Sequence, residues 1–499
     1  MNMSTIGGMH GFLVSSAGVT CAAALALPLA LPTPARAGPA AVTSEPAVPG
    51  STQSLPLVPL AGHRALGSAA PEQGLTRSDV RPFSLVGVVW DDPGRELHGR
   101  VQVRTRAVGT GRWSGWQDVD THNHEHAADP DTPEAASGRV RGSTAPLWVG
   151  NSNGVEVRVL ADGADGAGRA TAPGDSPLPR GLHLELVDPG ADPSDAGVPD
   201  DSPEAGAAEG GAPAGPGPRA DEPGDGALSS ASIGARLPAG AAALSTASAA
   251  VASAASAAAS AANAALAPLG ATEIPALSER ETAREVFAVS GSEQQAKPYI
   301  GPRPRIITRK GWGANESLRE RGFVYTKKVK AAFVHHTGSG NKYACSQAPS
   351  LIRSIYRYHV VSSGWRDIGY NFVVDKCGNI YEGRAGGVAK PVMGAHTLGF
   401  NDDSMGIAVL GSFGKSKPSG AAVTAIARLT AWKLGLFGAN PRGTTYLKSG
   451  GGNLYRKGKN VRLNVISGHR DGYATECPGK SLYGKLGSAR KEAARYQGR

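Results

Sequence analysis

Alternating apolar and polar positions organise the legible part of the chain. Phe83 to Trp90 (FSLVGVVW) is an almost continuous apolar run, and His98 to Thr105 sets Val101 and Val103 on one face. Val155 to Leu160 and Leu182 to Val187 alternate residue by residue, and turn-forming stretches separate these segments. The pattern predicts a small all-β, sandwich-like or jelly-roll-like module over 81–190. From 191 to 296 the sequence is Ala, Gly, Pro and Ser with acidic residues, too poor in aliphatic side chains to bury a core, and reads as a long disordered linker. The Ala/Ser run from Ala241 to Ala265 favours helix but carries no apolar stripe with which to dock.

A new texture begins near Arg303. Ala331-Ala332-Phe333-Val334 predicts a buried strand that runs into His335. Pro349 to Val361 predicts a helix, with Leu351, Ile352, Ile355 and Tyr356 at helical spacing. Tyr370 to Val374 and Ile380-Tyr381 bracket a short loop and predict a hairpin. Ser404 to Leu410 and Asn464 to Ile466 read as further strands, and Ala421 to Phe437 as a helix stopped by Gly438 and Pro441. Alternating strands and helices over 297–499 predict one α/β domain with a mixed sheet.

Charge sharpens this division. Residues 301–499 hold 33 Lys and Arg against 10 Asp and Glu, a net of +23, whereas 1–300 carries −13. The basic half suits a polyanionic partner, and anionic cell-wall polymers fit as well as nucleic acid, for which no motif is present. Opposite signs on the two halves also permit intramolecular masking, which a truncation near residue 297 would test.

The apolar run Ala22 to Leu31 followed by Ala35-Arg36-Ala37 reads as a signal peptide over 1–37, without a basic residue before the run. The run is too short to span a bilayer and no later stretch does, so the expectation is a secreted, extracellular or wall-associated protein. Residues 38–80 read as low complexity. Cleavage removes Cys21 and leaves Cys345, Cys377 and Cys477, so in an oxidising compartment two should pair and one should remain.

The chemistry concentrates at the ends of the two predicted strands. His335 closes Phe333-Val334-His335-His336-Thr337, His469 closes Ser467-Gly468-His469, and Cys477 follows eight residues later. Two imidazoles and a thiolate form a three-ligand zinc set with the fourth tetrahedral position left for water, the arrangement of a catalytic centre. Committing Cys477 to Zn2+ accounts for the odd thiol and leaves Cys345 and Cys377 to form a disulfide. Other candidates are weaker. His122-Asn123-His124-Glu125-His126 invites a metal reading, but it lies in a polar, Pro- and Asp-rich stretch without periodicity. It is read as a mobile loop and no site is placed there. Trp113 and Trp116 form either a carbohydrate-stacking face or ordinary packing.

The region from Arg303 to Tyr496 resembles the type-2 N-acetylmuramoyl-L-alanine amidases and the peptidoglycan recognition proteins. The resemblance rests on His335-His336-Thr337, Trp365-Arg366-Asp367-Ile368-Gly369-Tyr370-Asn371-Phe372, Tyr381-Glu382-Gly383-Arg384, Gly394-Ala395-His396-Thr397 with Asn401, Met405-Gly406-Ile407, Gly468-His469-Arg470-Asp471 and Cys477-Pro478-Gly479. It implies zinc on His335, His469 and Cys477, with Tyr370 and Thr475 lining the reaction centre. It also implies that His359, Trp365, Arg384, His396 and Asn401 contact sugar or stem peptide. Packing competes as the role of Trp365, an ion pair with Glu382 as that of Arg384, and a local backbone bond as that of Thr475. Asp471 is either a partner that orients a ligand imidazole or half of an ordinary salt bridge. Pro391-Val392-Met393 departs from the family's specificity pairs, so no stem-peptide preference is assigned. Members that only bind peptidoglycan typically lack the cysteine ligand. The leading expectation is therefore a zinc amidase that cuts between muramic acid and L-alanine of bacterial peptidoglycan, and the alternative is a binding or sensing protein with little or no hydrolysis.

Overall fold

The computed structural model describes residues 50–60, 72–162, 178–191, 239–290 and 299–499. The expected signal peptide at 1–37 lies outside the described residues, as do much of 38–80 and the part of the expected linker over 192–238. Among the described residues no helix is long and apolar enough to cross a membrane.

The first module contains β1 (Ser51–Pro56), β2 (Val58–Pro59), β3 (Glu72–Arg77), β4 (Phe83–Trp90), β5 (Gly99–Ala107), β6 (Gln117–Val119), β7 (Gly142–Ser143), β8 (Leu147–Ala161) and β9 (His183–Asp188). Every pairing is antiparallel, and the long β8 is shared between two layers. Its first part pairs with β4, and its second part lies between β3 and β5. Val86, Val88, Val101, Val103, Val155, Val157, Val159 and Leu184 fill the space between the layers. The alternation seen in sequence is therefore the inward face of this module. The module starts before residue 81, however, because β1, β2 and β3 come from the stretch read as low complexity. β1 is mostly polar (STQSLP) yet pairs with β9 along its whole length, so backbone pairing rather than apolar content holds it there.

The second module contains α1 (Ala239–Ala261), β10 (Glu273–Ile274), α2 (Glu279–Ser290), β11 (Ile306–Ile307), β12 (Ala331–His336), α3 (Ala348–Arg357), β13 (Phe372–Val374), β14 (Ile380–Glu382), β15 (Ser404–Val409), α4 (Gly420–Gly435), β16 (Thr444–Lys448), β17 (Asn460–Asn464), β18 (Ile466–Gly468), α5 (Lys480–Tyr483) and α6 (Leu486–Tyr496). The sheet order is β10-β11-β14-β13-β15-β12-β18, with β16 and β17 as a separate hairpin. β12 is parallel to both β15 and β18, while β13 and β14 are antiparallel, so the sheet is mixed. Ile426, Leu429 and Trp432 of α4 and Ala489 and Ala493 of α6 share a core with Val334 and Ile407. Leu351, Ile352 and Ile355 of α3 belong to a second core with Val373 and Ala408.

Part of the segment read as a disordered linker belongs to this domain. The Asn263 side-chain amide donates to both Glu382 carboxylate oxygens at 2.9 and 3.0 Å, and its oxygen accepts from the Val388 N–H at 2.9 Å. β10 pairs with β11, and Arg303 pairs with Glu285 of α2. A boundary at 297 therefore cuts through packed structure. Ala- and Ser-rich composition hid this because the docking runs through scattered contacts, polar at Asn263 and apolar at Ala267 and Ile274.

The two modules share a core. Leu85 and Val89 of β4, Trp148 of β8 and Val187 of β9 join the cluster that contains α3, Tyr358 and Tyr370. β4 thus buries both faces. Gly87 is the point of closest approach: a Cβ there would lie 2.4 Å from the Tyr358 hydroxyl. That hydroxyl instead donates to the Thr144 and Val88 carbonyls at 3.1 and 3.3 Å.

Candidate metal centre and groove

Sheet register brings the first two predicted ligands together. Val334 of β12 pairs with Gly468 of β18, so the next residues, His335 and His469, sit side by side where the strands end. Their ring centroids are 4.5 Å apart and both side chains are fully buried. The turn after β18 returns Cys477 to the same point, held by a bond from the Arg470 N–H to its carbonyl at 3.1 Å. Its Sγ lies 3.8 Å from His335 Nδ1 and accepts from the His336 N–H at 3.5 Å.

A fourth group enters from the β-module. His126, in the stretch read as a mobile loop without a site, is buried with Nε2 3.6 Å from Cys477 Sγ. One ligand atom from each of His126, His335, His469 and Cys477 lies within 4.8 Å of the others. His122 and His124 are not in this cluster. Zn–N bonds of about 2.0–2.1 Å and Zn–S bonds of about 2.3 Å imply N···S edges of about 3.6 Å in a tetrahedral site, close to the two separations seen. Among the described residues, both ring nitrogens of His469 and Nδ1 of His126 are buried without a hydrogen-bond partner of normal geometry. Such orphaned nitrogens are costly unless something accepts their lone pairs. Burial holds His335 and His469 well below the usual imidazole range and His126 at about 3, so all three rings are neutral donors. Burial also pushes the Cys477 thiol up, so a thiolate there needs a cation beside it. The donor set fits zinc.

His335 presents Nδ1 to the centre because its Nε2 is engaged by His396 Nδ1 at 3.2 Å and lies 3.4 Å from the Thr397 hydroxyl. His396, expected in the groove, is thus a fully buried partner of a ligand, and Asn401 Oδ1 accepts from the His396 and Thr397 N–H groups. Among the described residues, Asp471 orients no imidazole and forms no salt bridge. It accepts from the Gly468 N–H at 2.9 Å and the Tyr483 hydroxyl at 2.6 Å, which fixes the turn carrying His469.

Tyr370 lies over the centre, with its ring 5.6 Å from that of His335. Burial raises its phenol well above the usual range, so the hydroxyl keeps its proton. The Thr475 hydroxyl accepts from the Cys477 N–H at 3.1 Å, the local backbone bond expected of it, and donates to Glu125 Oε1 at 2.5 Å. His359 and Trp365 stack with centroids 4.4 Å apart, and His359 Nδ1 accepts from the Gly369 N–H. Arg384 does not pair with Glu382. Its guanidinium donates to the Ile368 carbonyl and, in a two-point contact, to the Glu134 carboxylate at 2.8 and 2.9 Å.

Glu134, Glu125 and His126 all belong to the segment between β6 and β7, which runs along the line of expected groove residues. Asn401 Nδ2 donates to the Ala127 carbonyl at 2.8 Å and to Asp129 Oδ1 at 2.7 Å. The Leu398 N–H donates to the Glu125 carbonyl at 2.9 Å. Away from the groove, Cys345 and Cys377 form the expected disulfide, with a Cα–Cα distance of 6.2 Å. Trp113 and Trp116 stack against Arg104 and Arg158 and remain partly exposed.

Residues 325–480 match the family model described as N-acetylmuramoyl-L-alanine amidase, and residues 37–179 match "Rv3811 N-terminal galactose-binding domain-like". The chain is 30% identical over 183 residues to peptidoglycan-recognition protein SC2 of Drosophila simulans, covering 36% of this chain and 84% of that protein. It is 29% identical over 217 residues to the N-acetylmuramoyl-L-alanine amidase of Homo sapiens, covering 43% of this chain but only 33% of the human protein. Among solved structures, Drosophila PGRP-LB aligns at 26% identity over 37% of this chain and 92% of that chain, with a TM-score of 0.29. The carboxy-terminal region therefore belongs to the family of N-acetylmuramoyl-L-alanine amidases and peptidoglycan recognition proteins.

Proposed function

We propose that the protein is a secreted, zinc-dependent N-acetylmuramoyl-L-alanine amidase of bacterial peptidoglycan. The observation that carries this reading is the convergence of His335, His469 and Cys477, with the His469 nitrogens buried and, among the described residues, without a hydrogen-bond partner of normal geometry. The Cys345–Cys377 disulfide supports export to an oxidising compartment. A net charge of +23 over 301–499 suits anionic wall polymers.

Zinc held there would supply Lewis-acid polarisation of an amide carbonyl and acidify a water molecule. The protein's own groups do the rest. His396 fixes the His335 ring so that Nδ1 faces the metal position. The protonated Tyr370 hydroxyl is a donor for an oxygen that gains negative charge during amide cleavage. Thr475 is anchored by the Cys477 N–H and offers its proton to an acceptor in the groove, at present Glu125. The stacked His359 and Trp365 form an apolar wall, and the Arg384 guanidinium already accommodates a carboxylate. Stem-peptide carboxylates match that fork.

Product identity tests this reading. Purified sacculi treated with the zinc-loaded chain should release stem peptides with a free L-alanine amino terminus, detected by mass spectrometry. Chelation or Cys477→Ala should abolish them. Sacculus binding without any such peptide would instead favour recognition without hydrolysis; several relatives are named peptidoglycan-recognition proteins.

A further inference from the structure

We propose that His126 is a fourth protein ligand to the metal of this centre, and that the segment around it holds the enzyme in a latent state. The inference rests on the zinc reading above. An open catalytic zinc site has three protein ligands and one free position, whereas four protein ligands make a closed one. His126 supplies the fourth: Nε2 is 3.6 Å from Cys477 Sγ, and its ring centroid is 4.5 Å from that of His469 and 5.2 Å from that of His335. Its other nitrogen, Nδ1, is buried without a partner among the described residues, so the contact of Nε2 with Cys477 Sγ is what fixes the ring.

The neighbours of His126 occupy the groove in the manner of a ligand. On one side, Glu125 takes the Thr475 hydroxyl through its carboxylate and the Leu398 N–H through its carbonyl. On the other side, the Ala127 carbonyl and Asp129 take Asn401, and Asp129 also accepts from the Gly399 N–H at 2.7 Å. Glu134 then takes Arg384 and the Arg366 N–H. Residues 117–138 contain six acidic side chains and no Lys or Arg, opposite a domain of +23, so the charge complement holds along the segment. Of the expected substrate contacts, Thr475, Asn401 and Arg384 are covered by this chain's own acidic and carbonyl groups.

Zinc X-ray absorption of the full chain separates this from a merely structural loop. The wild-type shell should fit three imidazoles and one sulfur. His126→Ala should replace one imidazole with an oxygen ligand and raise peptide release from sacculi about tenfold or more, because the competent fraction limits the rate. Gly87→Val provides a second route that keeps every ligand residue, since the new side chain strikes Tyr358 and loosens the module from its seat. It should give the same change in shell. Two imidazoles in the wild type, or an unchanged shell in both variants, would overturn the proposal. If the shell changes as expected but neither variant releases peptide, the ligand assignment stands and the amidase reading falls.

Discussion

Glu134→Ala is the sharpest perturbation of the contact between the modules. The Glu134–Arg384 pair is almost fully enclosed, with side chains 7% exposed on both sides. Burial alone would raise the Glu134 carboxyl, but the Arg384 guanidinium outweighs it and holds the group below the usual range. Removing one member of such a pair leaves a buried charge and costs about 3–5 kcal/mol. The protein can recover that cost by releasing the segment and letting water reach Arg384. The loss therefore appears as weaker docking rather than as global unfolding. At about 1.4 kcal/mol per factor of ten, the open fraction should rise by roughly 10²- to 4 × 10³-fold. Hydrogen exchange reads this directly. The amides of Leu398, Gly399 and Arg366 donate to Glu125, Asp129 and Glu134, and all three should exchange faster by that factor. The Ala332 amide, bonded to the Val465 carbonyl inside the sheet, should not change. Unchanged exchange at the three groove amides, or equal acceleration at Ala332, would refute the reasoning.

Other consequences are more local. Tyr370→Phe removes a protonated donor from above the metal position and should lower kcat by roughly 10²–10³ with sacculus binding intact; an unchanged kcat removes Tyr370 from the chemistry. Cys345→Ser opens a covalent loop with a sequence separation of 32, which should lower unfolding free energy by about 4 kcal/mol in denaturant titrations. Burial raises the Glu382 carboxyl from its ordinary 4.5 to about 7, against the opposing pull of Asn263 and Arg309. The folded state thus holds this proton more tightly than the unfolded chain, so its stabilising effect is complete below pH 4.5 and is lost as pH rises through 7. Glu382→Gln should flatten that decline, by up to about 3 kcal/mol between pH 4.5 and 8, as read from paired denaturant curves.

Much of the carboxy-terminal domain was legible because its elements carry their own signals. β12 reads as a buried strand, α3 has its apolar residues at helical spacing, and the three expected metal ligands stand at strand ends or in the following turn. The first module was legible only where side chains alternate, as in β4 and β9. β1 is polar and exists through its partner strand, which no local pattern reports. His126 was missed for the same reason in stronger form. It sits in a stretch with no periodicity, 351 residues from Cys477, and only the packing of β4 and β9 on α3 carries it to the metal position. The opposite charges of the two halves permit masking, but charge alone names no ligand. His396 was misplaced because a motif match records that a position matters, without distinguishing contact with substrate from support of a ligand ring.

The most direct test of the amidase assignment uses the zinc-loaded full chain carrying His126→Ala, incubated with purified sacculi, with soluble products identified by mass spectrometry. Stem peptides bearing a free L-alanine amino terminus, absent when Cys477→Ala is added to the same chain, are the predicted result. A chain that binds zinc and sacculi with the site open, yet releases no such peptide, would contradict it.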